Sequence, residues 1–256
     1  MFKDIKQVMK DSVLYGIGNV AVKLVGFILI PLYTDAEYFS TADYGLMGLL
    51  EVTSQILIAV MGLSLYSGLI RWYWDAEYRD KQKTIFFTTL LFTILTSLCI
   101  GSVLWLNVGE LSALLVQQEG YSLGGELPYI LQLLILTSML GAVVEVPQNL
   151  LRLQRKPIYY SLTNIVRLFV TLVLTIYFTI SLHRGVSGVY EAQLVGIVIQ
   201  LLMVLPLVIK NSSCRVDRRC TIQLLVYSYP LVFPAIVGSL LTVFDRYIIN
   251  HFQGLD

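Results

Sequence analysis

Charge is scarce in this chain: Lys, Arg, Asp and Glu make up 14% of its 256 residues, against 56% hydrophobic. With a mean hydropathy of +0.73, that balance excludes an ordinary soluble core wrapped in a charged surface. Chemistry-bearing side chains are equally few. The two histidines, His183 and His251, have neither the spacing of a metal site nor that of a base serving a nucleophile. Of the three cysteines, Cys99 falls in an apolar run, while Cys214 and Cys220 share a basic loop and fall short of the four ligands zinc normally takes. No metal and no cofactor is expected. A Gly-rich phosphate loop followed by Lys and Ser or Thr is also missing, which excludes an ATP-driven pump within this chain. The loops are too short for a catalytic domain, so the chain does not read as an enzyme.

What is there is a series of apolar runs long enough to cross a bilayer as helices, which makes this an all-α, polytopic membrane protein of about seven spans. Residues 1–11, MFKDIKQVMKD, alternate charge with Phe2, Ile5 and Met9 at helical spacing. They lack the features of a signal peptide and read as a helix on the cytoplasmic surface. The spans are expected at Ser12 to Thr34, Tyr44 to Arg71, Thr84 to Leu106, Leu127 to Asn149, Tyr159 to Leu182, Val186 to Ile209 and Leu224 to Asn250. Span three is the most uniformly apolar and is expected to face lipid. Pro147 is expected to bend the end of span four, and Pro230 and Pro234 to kink span seven.

Loop charge sets the orientation. Most of the 18 lysines and arginines fall in the amino terminus (Lys3, Lys6, Lys10) and in the second, fourth and sixth loops. The first and third loops hold acids and no base, and the fifth holds only Arg184. Such alternation predicts a cytoplasmic amino terminus in a cell inner (plasma) membrane.

Three bases remain inside spans: Lys23, Arg167 and Arg246. Lys23 sits roughly 16 Å from either end of span one, too deep for its stem to reach the headgroups. Helical steps join it to Gly16, Asn19 and Gly26, a polar and small-residue face suited to a wet cavity. Span five repeats the pattern with Tyr160, Asn164, Arg167, Thr171 and Thr175. A lysine at such a depth either pairs with a structural carboxylate or awaits an anion. With Arg71 at the cytoplasmic mouth, the bases form an expected ladder in depth: Arg71, Arg167, Lys23, Arg246. Glu51, Glu145 and Asp245 are the acids that would neutralise these bases or bind a coupling proton or sodium ion.

Several stretches carry a family resemblance: KDSVLYGIGNVAVKLVGFILIPLYT, DYGLMGLLE, GLSLYSGLIRWYW, LRLQRKPIYYSLTNIVR and YSYPLVFPAIVGSLLTVFDRYIINHF. Together they resemble the amino-terminal half of polysaccharide-biosynthesis flippases. These are the O-antigen or capsule transporters of the multidrug, oligosaccharidyl-lipid and polysaccharide exporter superfamily. The resemblance implies a MATE-like bundle of two six-helix lobes around a central cavity. It also implies outward movement of a polyprenyl-diphosphate-linked oligosaccharide by alternating access. On that frame residues 12–209 are the amino-terminal lobe, 210–223 a basic cytoplasmic linker and 224–256 the first helix of a second lobe, apparently truncated. Lys23, Arg71, Arg167, Arg246, Asn19 and Asn164 would bind substrate. Partners would be the lipid-linked oligosaccharide, membrane lipid, a missing carboxyl-terminal half and a polysaccharide polymerase or glycosyltransferases; nucleic acid is not among them. The alternatives are a cation-coupled multidrug exporter of the same superfamily and a non-transporting assembly partner.

Overall fold

A computed structural model describes residues 27–115, 126–213 and 215–241. Its elements are all helical: a helical segment at 27–33, then α1 (Thr41–Gly62), α2 (Leu65–Trp72), a 3-10 turn at Ala76–Lys81, α3 (Gln82–Leu106) and α4 (Val108–Leu115), with a π-helical turn at Tyr177–Ser181 further on. α5 (Leu127–Leu153), α6 (Pro157–Ile176), α7 (Gly185–Asn211) and α8 (Arg218–Leu241) follow. Among the described residues, six helical stretches are long and apolar enough to cross a membrane. The fold is that of a multi-pass membrane protein.

The ends of these helices obey local chemistry that the hydropathy reading passed over. α1 starts earlier than expected because Ser40 is its N-cap, and Ser40 and Asp43 bond each other's backbone N–H in a capping box. α5 runs through Pro147 to Leu153, one turn past the expected end of span four at Asn149. α8 begins at Arg218, inside the expected linker 210–223 and ahead of the expected start of span seven at Leu224. Arg218 and Arg219 are exposed there, so a helix end at the interface carries the charges that had been assigned to a loop. The connection between α7 and α8 is thus residues 212–217.

Span two is not one helix. It breaks between α1 and α2 at Leu63 and Ser64, whose φ angles of 45° and 49° are left-handed and strained for residues with a Cβ. Neighbours meet the backbone groups this frees: Thr96 Oγ1 of α3 donates to the Met61 carbonyl at 2.7 Å, and Ser67 N–H donates to the Ser64 carbonyl at 2.9 Å.

Span three also departs from expectation. Thr89, Thr93, Ser97 and Gly101 form a buried stripe on α3, while Leu95, Leu98, Val103 and Leu106 are exposed. The hydroxyls of Thr89, Thr93 and Ser97 donate to carbonyls one turn back, which hides their polarity and lets them pack as small residues. The least buried span is instead span five, 17% of whose apolar window is covered against 28% for span three.

α5 is the centre of the bundle, with 61% of its window buried and every other helix but α8 packed against it. Two apolar clusters surround it. One gathers Phe39, Val108, Leu127, Val186 and Tyr190 at the acidic end, and the other Tyr73, Tyr78, Leu150, Tyr160, Leu207 and Leu224 at the basic end. Because lipid is as apolar as leucine, close approach and interhelical hydrogen bonds must hold such helices together. Ser54 and Ser138 join α1 to α5 at 3.0 Å, and Gln148 Nε2 donates to Thr163 Oγ1 at 2.9 Å to join α5 to α6.

The tightest approach is at Gly196 of α7, where an added Cβ would lie 2.2 Å from Thr171 Oγ1 and 3.3 Å from the Arg167 carbonyl. Gly196→Val is expected to cost about 1–3 kcal/mol by overpacking. Thermal unfolding in detergent checks this, and Thr171→Ala in the same protein should recover part of the loss.

Candidate functional site

Pro157 opens α6 at a position where its missing N–H is harmless. From there Tyr160, Asn164, Arg167 and Thr171 fall on one face by helical steps. Asn164 and Arg167, both singled out in the sequence, are brought together by a residue that was not, Gln200 of α7. Arg167 Nη1 donates to Gln200 Oε1 at 3.1 Å, and Gln200 Nε2 donates to Asn164 Oδ1 at 3.0 Å. Asn164 Nδ2 then donates to the Tyr160 carbonyl at 2.9 Å. Gln200 is 1% exposed, so its amide is fixed with oxygen toward the arginine and nitrogen toward the asparagine. The network holds the guanidinium with a neutral dipole. Among the described residues Arg167 meets no carboxylate, and Gln200 takes one of its five donors.

A second cation is held against this face of α6 at Tyr160. Arg152, in the last turn of α5, donates from Nη2 to the Tyr160 hydroxyl, and its guanidinium carbon sits 4.6 Å from the Tyr160 ring centroid. Glu145 lies seven residues earlier on the same stripe of α5, and Tyr66 of α2 is within electrostatic reach of both. Sequence reasoning counted Arg152 as a loop charge. The extra helical turn is what turns it into a site residue.

The remaining expected site residues are dispersed. Arg71 is exposed near the end of α2 and makes no hydrogen bond or ion pair with a described residue. Glu51 is exposed on α1, within electrostatic reach of Tyr33 and Tyr190. Neither Glu51 nor Glu145 forms a direct ion pair with a base among the described residues, so the expected neutralisation of Arg71 or Arg167 by these acids is not found. Lys23, Asn19, Asp245 and Arg246 lie outside the described residues.

The ion pairs found among the described residues are at the two ends of the bundle. Lys81 meets Asp217 at 2.7 Å, and that hydrogen bond holds the Asp217 carboxyl below its usual range. Arg184 Nη1 meets Glu191 Oε1 at 2.9 Å, and the Tyr129 hydroxyl donates to the same oxygen at 2.9 Å. The one base of the fifth loop is therefore committed to α7. No cluster of three or more His, Cys, Asp or Glu able to hold a metal occurs among the described residues.

No protein-family model matches the sequence, and no curated protein does. Solved structures do. A MATE transporter in its straight conformation aligns over 96% of this chain and 55% of its own, at 18% identity and a TM-score of 0.71. The fold is that of the MATE transporters. The Vibrio cholerae MATE transporter VcmN, as its D35N mutant, aligns over 92% of this chain and 53% of its own at 17% identity, with a TM-score of 0.67. A transporter of the MOP superfamily from Pyrococcus furiosus, described as having a binding pocket of reverse polarity that suggests a different function, aligns over 96% and 55% at 16% identity, with a TM-score of 0.69. The chain thus spans about half the length of the MATE-like structures it matches.

Proposed function

We propose that this chain belongs to a flippase that carries polyprenyl-diphosphate-linked oligosaccharide from the cytoplasmic to the outer leaflet, for O-antigen, capsule or exopolysaccharide assembly. The observation that carries the reading is Arg167. In a MATE-like fold, a guanidinium held by neutral amides in the membrane interior is a station for an anion, since a pairing carboxylate would have cancelled its charge. A diphosphate matches the planar fork of arginine in two bonds. The polyprenyl tail would remain in lipid. Lys23, read from the sequence alone as the middle of span one, would supply a further positive charge. The basic end of the bundle faces the cytoplasm of the inner membrane by the positive-inside rule. The Pyrococcus furiosus transporter offers a parallel in its reversed pocket polarity.

A second reading, cation-coupled multidrug export, draws on Glu51, an exposed acid whose helix also carries Tyr44, 50% exposed. An acid beside aromatic rings suits a cationic drug. Reconstitution of the full-length protein separates the two. Flipping of lipid-linked oligosaccharide should fall at least about 10-fold in Arg167→Gln and in Lys23→Ala at equal amounts of folded protein. Extrusion of a cationic dye, lost in Glu51→Gln and indifferent to Arg167→Gln, would establish the exporter instead.

A further inference from the structure

We infer that Arg152, seated on Tyr160, is the docking station where the phosphate end of the substrate first meets the bundle, one rung below Arg167. This deepens the flippase reading and rests on it. Arg152 lies in the last turn of α5 and reaches across to Tyr160 of α6. The Tyr160 ring supports one face of the guanidinium and the Tyr160 hydroxyl accepts one of its hydrogens. The group is therefore oriented, yet Arg152 as a residue is exposed, and most of its donors remain open to a ligand.

Position supports the same conclusion. Tyr160 and Arg167 share one face of α6 and stand seven residues apart, roughly 10 Å in depth, with Asn164 between them. A phosphate leaving Arg152 thus finds an amide and then a second guanidinium along a single stripe. Around Arg152 the turn is closed by hydrogen bonds from Arg155 N–H to the Arg152 carbonyl and from Lys156 N–H to the Leu151 carbonyl. That turn holds two more bases at the rim, and Arg155 takes a left-handed φ of 52° to make it. Arg71, the mouth residue expected from the sequence, has no such support.

The chemistry recognised is a phosphate ester, which either the substrate's diphosphate or an anionic lipid headgroup supplies. Full-length protein in phosphatidylcholine vesicles, titrated with polyprenyl diphosphate, distinguishes them. Arg152→Gln should raise the half-saturating concentration about 10-fold and leave the maximal rate within about twofold, as expected for loss of a charged hydrogen bond made on docking. Tyr160→Phe, which keeps the ring and removes the hydroxyl, should give a smaller rise. Thermal unfolding of each variant confirms an intact fold. An unchanged half-saturation in Arg152→Gln overturns the inference while leaving the flippase reading in place, and so does a loss confined to the maximal rate. An effect of Arg152→Gln that appears only when anionic phospholipid is added makes the residue a headgroup site and also overturns it. Failure of the wild type to move polyprenyl diphosphate in either membrane removes the flippase reading and this inference together.

Discussion

Replacing Gln200 with glutamate is expected to stop transport while leaving the protein folded. The two side chains have nearly the same shape, so the carboxylate would fall where Oε1 now accepts from Arg167 at 3.1 Å. At that range an ion pair is worth about 4 kcal/mol even at an effective dielectric near 20, and the site would become neutral. A diphosphate would then have to break the pair before binding, and the rate should fall at least about 100-fold. Stability should hold, because the arginine gains a charged partner. One bond would be lost, from Gln200 Nε2 to Asn164 Oδ1, and Asn164 keeps its own bond to the Tyr160 carbonyl. Gln200→Met frees the guanidinium without cancelling its charge and should cost only about 10-fold. Transport per folded molecule and the unfolding midpoint together decide the matter. A Gln200→Glu protein with wild-type rates would mean that the net charge of Arg167 takes no part in transport.

The contrast between Arg167 and Gln200 explains how much of this molecule is legible in its sequence. The all-helical membrane class follows from hydropathy alone, because a bilayer demands long apolar helices whatever their packing. Arg167 and Asn164 stand out for a related reason: a charge and an amide at helical spacing in an apolar run have little bland explanation. Gln200 does not stand out, since a lone amide in span six gains meaning only once α7 is known to lie against α6. Arg152 was lost to a boundary. The expected span four stops at Asn149 with its end bent by Pro147, and the further turn that places the guanidinium over Tyr160 depends on packing around α5. The break at Leu63 and Ser64 was illegible for the opposite reason, because neither is a residue that favours a left-handed backbone, and Thr96 of another helix satisfies the carbonyl it frees. Two signals were present and overlooked: the Ser40 and Asp43 capping box, and the period-four stripe of Thr89, Thr93, Ser97 and Gly101 that turns α3 inward.

Collapsing the membrane potential at constant pH is expected to reduce net flipping more than any single substitution on the outer loops. The expectation follows from the sign of the cargo. A doubly negative diphosphate moving outward across an inside-negative membrane gains about 2.3 kcal/mol per charge for each 100 mV traversed, or about 4.6 kcal/mol in all. That corresponds to a ratio of roughly 2,000 between the leaflets at equilibrium. On the flippase reading, cationic stations at Arg152 and Arg167 would not alter this total, because both are fixed to α5 and α6 and would return to their starting place after each cycle. They would lower the barrier by replacing solvation in the membrane interior. In vesicles with a potassium gradient set by an ionophore, outward flux should therefore rise with the imposed potential and fade as it is removed, with Arg167→Gln suppressing the rate at every potential. Flux indifferent to potential but responsive to a proton or sodium gradient, and lost in Glu51→Gln or Glu145→Gln, would show that the cargo crosses with compensating cations and that those acids bind them.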